Sequence, residues 1–157
     1  MKSYLHTICA TFILSLLILA PTSVQAQGVA MFAVLVGGNE VSPAGLANAG
    51  DPDGFGTISI IVNPTPAAAT EQLCFGMAVR GIDAPTAAHI HVGSAGVNGD
   101  IVVPLVPAPA AGNPGTSSNC VNAGNGVVNF LILRPARFYV NVHTGAFPAG
   151  ALRGQFF

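Results

Sequence analysis

Charge is what this chain has least of. Its 157 residues hold 5 lysines and arginines together against 6 acids. The cations are Lys2, Arg80, Arg134, Arg137 and Arg153. They form no basic stripe, which excludes the electrostatic footprint that nucleic acid or anionic lipid requires. Cysteine is equally sparse: Cys9, Cys74 and Cys120, with no CxxC spacing of the kind that holds structural zinc. The six acids show no close pair in sequence that points to glycoside hydrolysis. Ser94 lacks a nucleophile-elbow setting, and Gly93, Gly96 and Gly99 lack the strand-to-helix context of a nucleotide loop. No internal repeat and no domain boundary is visible. What survives these exclusions is a small binding or structural module without a catalytic constellation. So little charge points to contact with a cell wall, a membrane surface or copies of the same chain, although Gly, Asn, Ser and Thr can also solvate a surface without charge.

One long apolar run is present, and it lies at the start. Lys2 gives a positive beginning, Ile8 to Ala20 is almost wholly apolar, Pro21 breaks any helix, and Val24-Gln25-Ala26 supplies small-residue spacing. That order predicts a secretory leader over residues 1–26, cleaved before Gln27. The run is shorter than the ~20 residues of a comfortable membrane span. Residues 27–157 are then expected to form one exported domain, secreted or periplasmic, with no transmembrane span and with an envelope or extracellular partner. Four arginines against six acids leave it a formal charge of −2. Cys9 departs with the leader. Cys74 and Cys120 remain as an even pair, which in an exported chain reads as one disulfide; the alternative is a pair of thiol metal ligands.

The remaining sequence is punctuated by Gly and Pro, and the segments between are rich in Val, Ile and Phe. This is the texture of an all-β sandwich or barrel. Expected strands are Val29 to Val36, Thr57 to Val62, Leu73 to Val79, Ala87 to Val92, Ile101 to Val106, Arg137 to His143 and Ala151 to Phe157. Val127 to Leu133 fits a strand or one or two helical turns, and its periodicity does not decide. Ala44 to Gly54, Asn63 to Thr70 and Pro107 to Ser118 read as loops.

Beyond the leader only three histidines remain: His89, His91 and His143. Side chains alternate across a strand. His89 and His91 therefore share one face while Ala88, Ile90 and Val92 share the other. Likewise Tyr139, Asn141 and His143 oppose Phe138, Val140 and Val142. Two imidazoles at i and i+2, joined by a third from a neighbouring strand, make a three-histidine site with an open position, suited to copper or zinc. The alternative is structural: imidazoles on a polar face bridging backbone carbonyls around the turn Gly93 to Gly99. Superoxide-dismutase-like redox activity ranks third, because it needs the metal site and a charged funnel as well.

The order of motifs resembles the chordin-type (CHRD) domain. The motifs are Gly38-Asn39-Glu40-Val41-Ser42-Pro43; Ala88-His89-Ile90-His91-Val92-Gly93 with Gly99; Tyr139-Val140-Asn141-Val142-His143-Thr144; and Phe147-Pro148-Ala149-Gly150 with Leu152-Arg153-Gly154-Gln155. Ser42 stands where the family usually repeats proline, and Ala151 where it commonly has an acid. The resemblance implies a Greek-key, immunoglobulin-like β-sandwich similar in shape to copper/zinc superoxide dismutase, and it carries no settled enzymatic activity. Glu40 and Arg153 lie in its first and last motifs. Terminal strands of a sandwich are often close, so a structural ion pair between them is expected.

Overall fold

The computed structural model describes residues 28–63, 71–124 and 126–157. The leader of residues 1–26 and most of the Pro-Ala loop, residues 64–70, lie outside them. Eight strands follow in chain order: β1 (Val29–Val36), β2 (Phe55–Val62), β3 (Gln72–Arg80), β4 (Pro85–Val92), β5 (Ile101–Pro104), β6 (Gly115–Asn122), β7 (Phe138–Thr144) and β8 (Leu152–Gln155). One short helix, α1 (Val127–Leu133), precedes β7.

All strand pairs are antiparallel, in the spatial order β5-β4-β7-β8-β1-β2-β3-β6. The chain crosses between the two four-stranded halves at β3 to β4, β5 to β6 and β6 to β7, which is the Greek-key signature. The halves join through β8 and β1 at Val36 and Arg153, and Phe157 exchanges backbone hydrogen bonds with Phe32. Alternation does what it predicts. Met31, Ala33 and Leu35 of β1, Ile58, Ile60 and Val62 of β2, and Leu73, Phe75, Met77 and Val79 of β3 face Ala88 and Ile90 of β4 and Phe138, Val140 and Val142 of β7 in one core. Each fully buried Leu, Ile, Val or Phe there contributes about 1.5–3 kcal/mol of apolar transfer.

The expected loop Pro107 to Ser118 is corrected at its far end. Residues from Gly115 onward form β6, paired residue for residue with β3. The run Gly-Thr-Ser-Ser-Asn carries no apolar alternation, because β6 is a sheet edge whose outward positions face water. Two of its polar side chains are satisfied by the preceding loop: the Ser117 hydroxyl donates to the Pro107 carbonyl at 2.5 Å, and the Asn119 amide to that of Val106 at 2.8 Å. Cys74 and Cys120 are register partners across β3 and β6 and form the disulfide, separated by 46 residues.

Val127 to Leu133 is helical. Val128 and Leu131, three apart, bury on its inner side. The buried Glu71 carboxylate accepts the Val128 backbone N–H at 3.1 Å, satisfying one of the donors that a helix start leaves open. No helix among the described residues is long and apolar enough to cross a membrane.

Candidate metal centre

β4 and β7 are neighbours, which chain position alone could not decide. Their register sets Ala87 opposite His143, His89 opposite Asn141 and His91 opposite Tyr139. Alternation sends Ala88, Ile90, Val140 and Val142 to the core and turns these six residues to the outer face. His89 and His143 are diagonal neighbours there, within reach of long side chains.

The three imidazoles converge. His89 Nδ1 lies 3.2 Å from His143 Nε2, and one ring nitrogen from each histidine lies within 4.8 Å of the others. Two backbone carbonyls orient the rings. His143 Nδ1–H donates to Pro148 O at 3.0 Å, and His91 Nδ1–H donates to Gly99 O at 2.9 Å. A carbonyl can only accept, so both protons sit on Nδ1 and both Nε2 lone pairs are free to ligate. His91 Nε2 is buried and has no hydrogen-bond partner among the described residues. An orphaned polar atom of this kind costs about 1–3 kcal/mol. Burial lowers the pKa of all three rings; mutual repulsion adds to this at His89, while the Gly99 and Pro148 carbonyls partly offset it at His91 and His143. The rings are thereby held toward the neutral form that binds metal.

A second layer fixes these rings. Tyr139 stacks on His91 with centroids 4.7 Å apart and planes 8° from parallel, and its hydroxyl accepts the Gly99 N–H at 3.2 Å. Gly99 thus receives from His91 and donates to Tyr139. A Cβ at this position would strike the Val92 carbonyl, so no larger residue fits without moving β4. On its other face Tyr139 carries the Arg153 guanidinium, whose Cζ is 3.5 Å from the ring centroid. Arg153 is 1% exposed and donates to Asn98 Oδ1 at 3.1 Å and to the carbonyls of Ser94 at 3.1 Å and Val97 at 2.7 Å. Asn98 in turn holds the Val41 and Ser42 carbonyls. The 94–99 loop is therefore pinned over the outer face of β4, β7 and β8.

Glu40 and Arg153 are both buried, but the expected contact pair is replaced by separate partners. Glu40 accepts the Val41 N–H at 3.0 Å and the Asn141 amide at 2.6 Å. Asn141 is also the register partner of Arg153 across β7 and β8. Burial pushes the Glu40 carboxyl above its ordinary value, against the hydrogen bond from Val41, the through-space pull of Arg153 and the bond from Asn141. Gly150, at φ 143°, brings its backbone against both the Glu40 carboxylate and the Asn141 amide, where a side chain could not stand.

The structure brings His89, His91 and His143 together and joins Cys74 to Cys120. Tyr139, Pro148 and Asn98 were not foreseen as parts of the site, whereas the turn Gly93 to Gly99 was expected to meet an imidazole, and Gly99 does so. Alternation already put Tyr139 on the face of His143, whereas nothing in the sequence announced that the Pro148 carbonyl would face His143.

A two-half antiparallel Greek key with histidines gathered on a roofed outer face defines an all-β domain of sandwich type. The family model of the CHRD domain matches residues 31–156, and the chain belongs to that family. No curated protein and no solved structure matches it.

Proposed function

We propose that this CHRD domain is an exported, non-enzymatic module that binds a copper or zinc ion through His89, His91 and His143. One observation carries the reading: a buried, partnerless Nε2 on His91 in a cluster whose ligating atoms all lie within 4.8 Å. The 3.2 Å between His89 Nδ1 and His143 Nε2 suits the fit, because two ligands bound at about 2.0–2.1 Å in tetrahedral geometry stand about 3.3 Å apart, whereas the cluster's widest spacing of up to 4.8 Å exceeds that span, so a ring must move inward before all three hold one ion. The donor set is also right, since neutral imidazole suits both metals and each outer ring nitrogen of His91 and His143 is tied to a carbonyl. The ion would supply Lewis acidity and cross-link β4 to β7. The chain's own residues orient the rings, exclude water from His91 and keep the imidazoles neutral. The Cys74–Cys120 disulfide and the apolar leader support action outside the cytoplasm.

A purely structural reading has observations of its own: His91 and His143 donate to the Gly99 and Pro148 carbonyls, and without an ion His89 Nδ1–H can donate to His143 Nε2. That bond leaves His91 Nε2 without a role. Calorimetric titration of the purified protein with Zn(II) and Cu(II), beside the variant with all three histidines changed to alanine, separates the two. Stoichiometric binding lost in the variant supports the metal site. Equal, weak binding by both proteins, with a lower Tm of the metal-free variant, leaves only the structural role.

A further inference from the structure

We propose that the three-histidine site favours copper in its monovalent state, Cu(I), over any divalent ion. This rests on the metal site proposed above and adds the charge of its occupant.

The argument is electrostatic. The cluster contains histidine alone: no carboxylate or thiolate joins it, and both cysteines of the described residues are used in the disulfide. Nothing in the ligand set neutralises the ion. The net charge left in the half-buried pocket is then the charge of the metal itself, and the desolvation cost of a charge rises with its square, about fourfold from +1 to +2.

The surroundings add to this cost. The Arg153 cation is buried directly behind the Tyr139 ring that stacks on His91, and its hydrogen bonds go to an amide and two carbonyls, not to an acid. Its repulsion of an ion among the imidazoles is twice as large for a divalent one. The acids nearby compensate little. Glu40 is buried, bonded to Val41 and Asn141, and pushed toward its neutral form. Asp100 follows the Gly99 turn but is exposed, where water and salt screen it. Donor softness does not make this choice, since imidazole accepts several metals. Among divalent ions at nitrogen sites Cu(II) outranks Zn(II), so the decisive contest is Cu(I) against Cu(II).

That contest has a direct readout. The midpoint potential of bound copper exceeds that of the free Cu(II)/Cu(I) couple when Cu(I) is held more tightly, and a hundredfold preference raises it by about 120 mV. We expect a midpoint above the free couple, measured by mediated redox titration of the copper-loaded protein. Anaerobic Cu(I) titration against a chromogenic chelator should likewise give tighter binding than Zn(II) in a parallel competition. A charge-adding variant sharpens the test. Ala87 is half-buried, shares the face of His89 and lies opposite His143. Ala87→Glu should lower the midpoint and tighten Zn(II) at least about tenfold, with Cu(I) affinity changed far less. A wild-type midpoint at or below the free couple, or Zn(II) bound more tightly than Cu(I), overturns this inference and leaves the metal site standing. Failure of every ion to bind removes both. The wild-type potential decides the matter even if the Ala87 variant does not fold.

Discussion

The two halves of the sheet have the same inner face and opposite outer ones. On β1, β2, β3 and β6 the outward side is bare: Phe32 is 49% and Ile61 52% exposed, beside Thr57 and Ser59. On β4, β7 and β8 the outward side is roofed by the loops that follow β4 and β7, so Tyr139, Asn141 and Arg153 are as buried as core residues. The bare half gains rigidity from a covalent link at its edge. The roofed half depends on hydrogen bonds among buried polar groups, which is a costlier way to make a surface unless something uses the pocket beneath. On the proposed reading the buried polar groups of the roofed half frame the site, while the disulfide lies in the other half.

This contrast predicts that the halves respond independently. The largest effect belongs to the disulfide. Replacing Cys74 and Cys120 with alanine frees a 46-residue loop in the unfolded chain and should cost about 4 kcal/mol in urea unfolding. Metal affinity of the folded variant should stay within about twofold, because the cysteines and the histidines lie in different halves and distant sites add independently. A large loss of affinity would break the separation of bare and roofed faces.

Next in size is the polar network. Asn141→Ala removes the donor to a buried carboxylate and should cost about 2 kcal/mol. A double-mutant cycle with Glu40→Gln should show coupling of roughly 1 kcal/mol or more. Additivity of the two changes would mean that the roof does not depend on this contact.

A smaller change tests the layer around the proposed metal site. Tyr139→Phe keeps the stack on His91 and removes only the hydroxyl that fixes Gly99. About 1 kcal/mol of stability and roughly tenfold in Zn(II) or copper affinity should be lost. Phe32→Ser on the bare face, by contrast, should shift stability by about 0.5 kcal/mol or less and leave affinity unchanged. Equal effects from the two substitutions would erase the distinction between the faces.

The same contrast explains what the sequence made legible. Inward alternation on β2, β3, β4 and β7 was visible because a buried face requires apolar residues at every second position. β6 was not, since an edge strand of Thr, Ser and Asn has no inner pattern to display, and its assignment came from pairing with β3. α1 was ambiguous because its seven residues are short and almost wholly apolar, so no pattern shows in the sequence; burial of Val128 and Leu131, three apart, fits only the helical period. For the site, alternation put His89, His91 and His143 on polar faces. Their meeting depended on which strands are neighbours, and that follows from the Greek-key crossings. The Glu40 and Arg153 motifs both contribute to the roofed face, but the Asn141 bond to Glu40 depends on a three-dimensional register that no single motif encodes.

The smallest effect is a pH dependence with opposite signs for the three histidines and for Glu40. The three histidines have pKa values lowered from 6.5, chiefly by burial. The unfolded chain therefore takes up protons first on acidification, and the metal-free protein loses stability as pH falls below 6.5. Glu40 is raised from 4.5, so its unfolded form ionises first and its contribution, full below pH 4.5, is lost as pH rises from there. In urea unfolding between pH 7.5 and 5.5 the wild type should lose stability while the triple histidine-to-alanine variant stays flatter. Glu40→Gln should flatten only the profile beginning near pH 4.5. The histidine effect is modest because His89 and His143 are half-exposed and water screens their charges. Saturating Zn(II) should deepen the acid loss, because protons and metal compete for the same three nitrogens. A zinc-loaded wild type no more sensitive to acid than the metal-free protein would separate the buried imidazoles from metal binding and return the roofed face to a purely structural role.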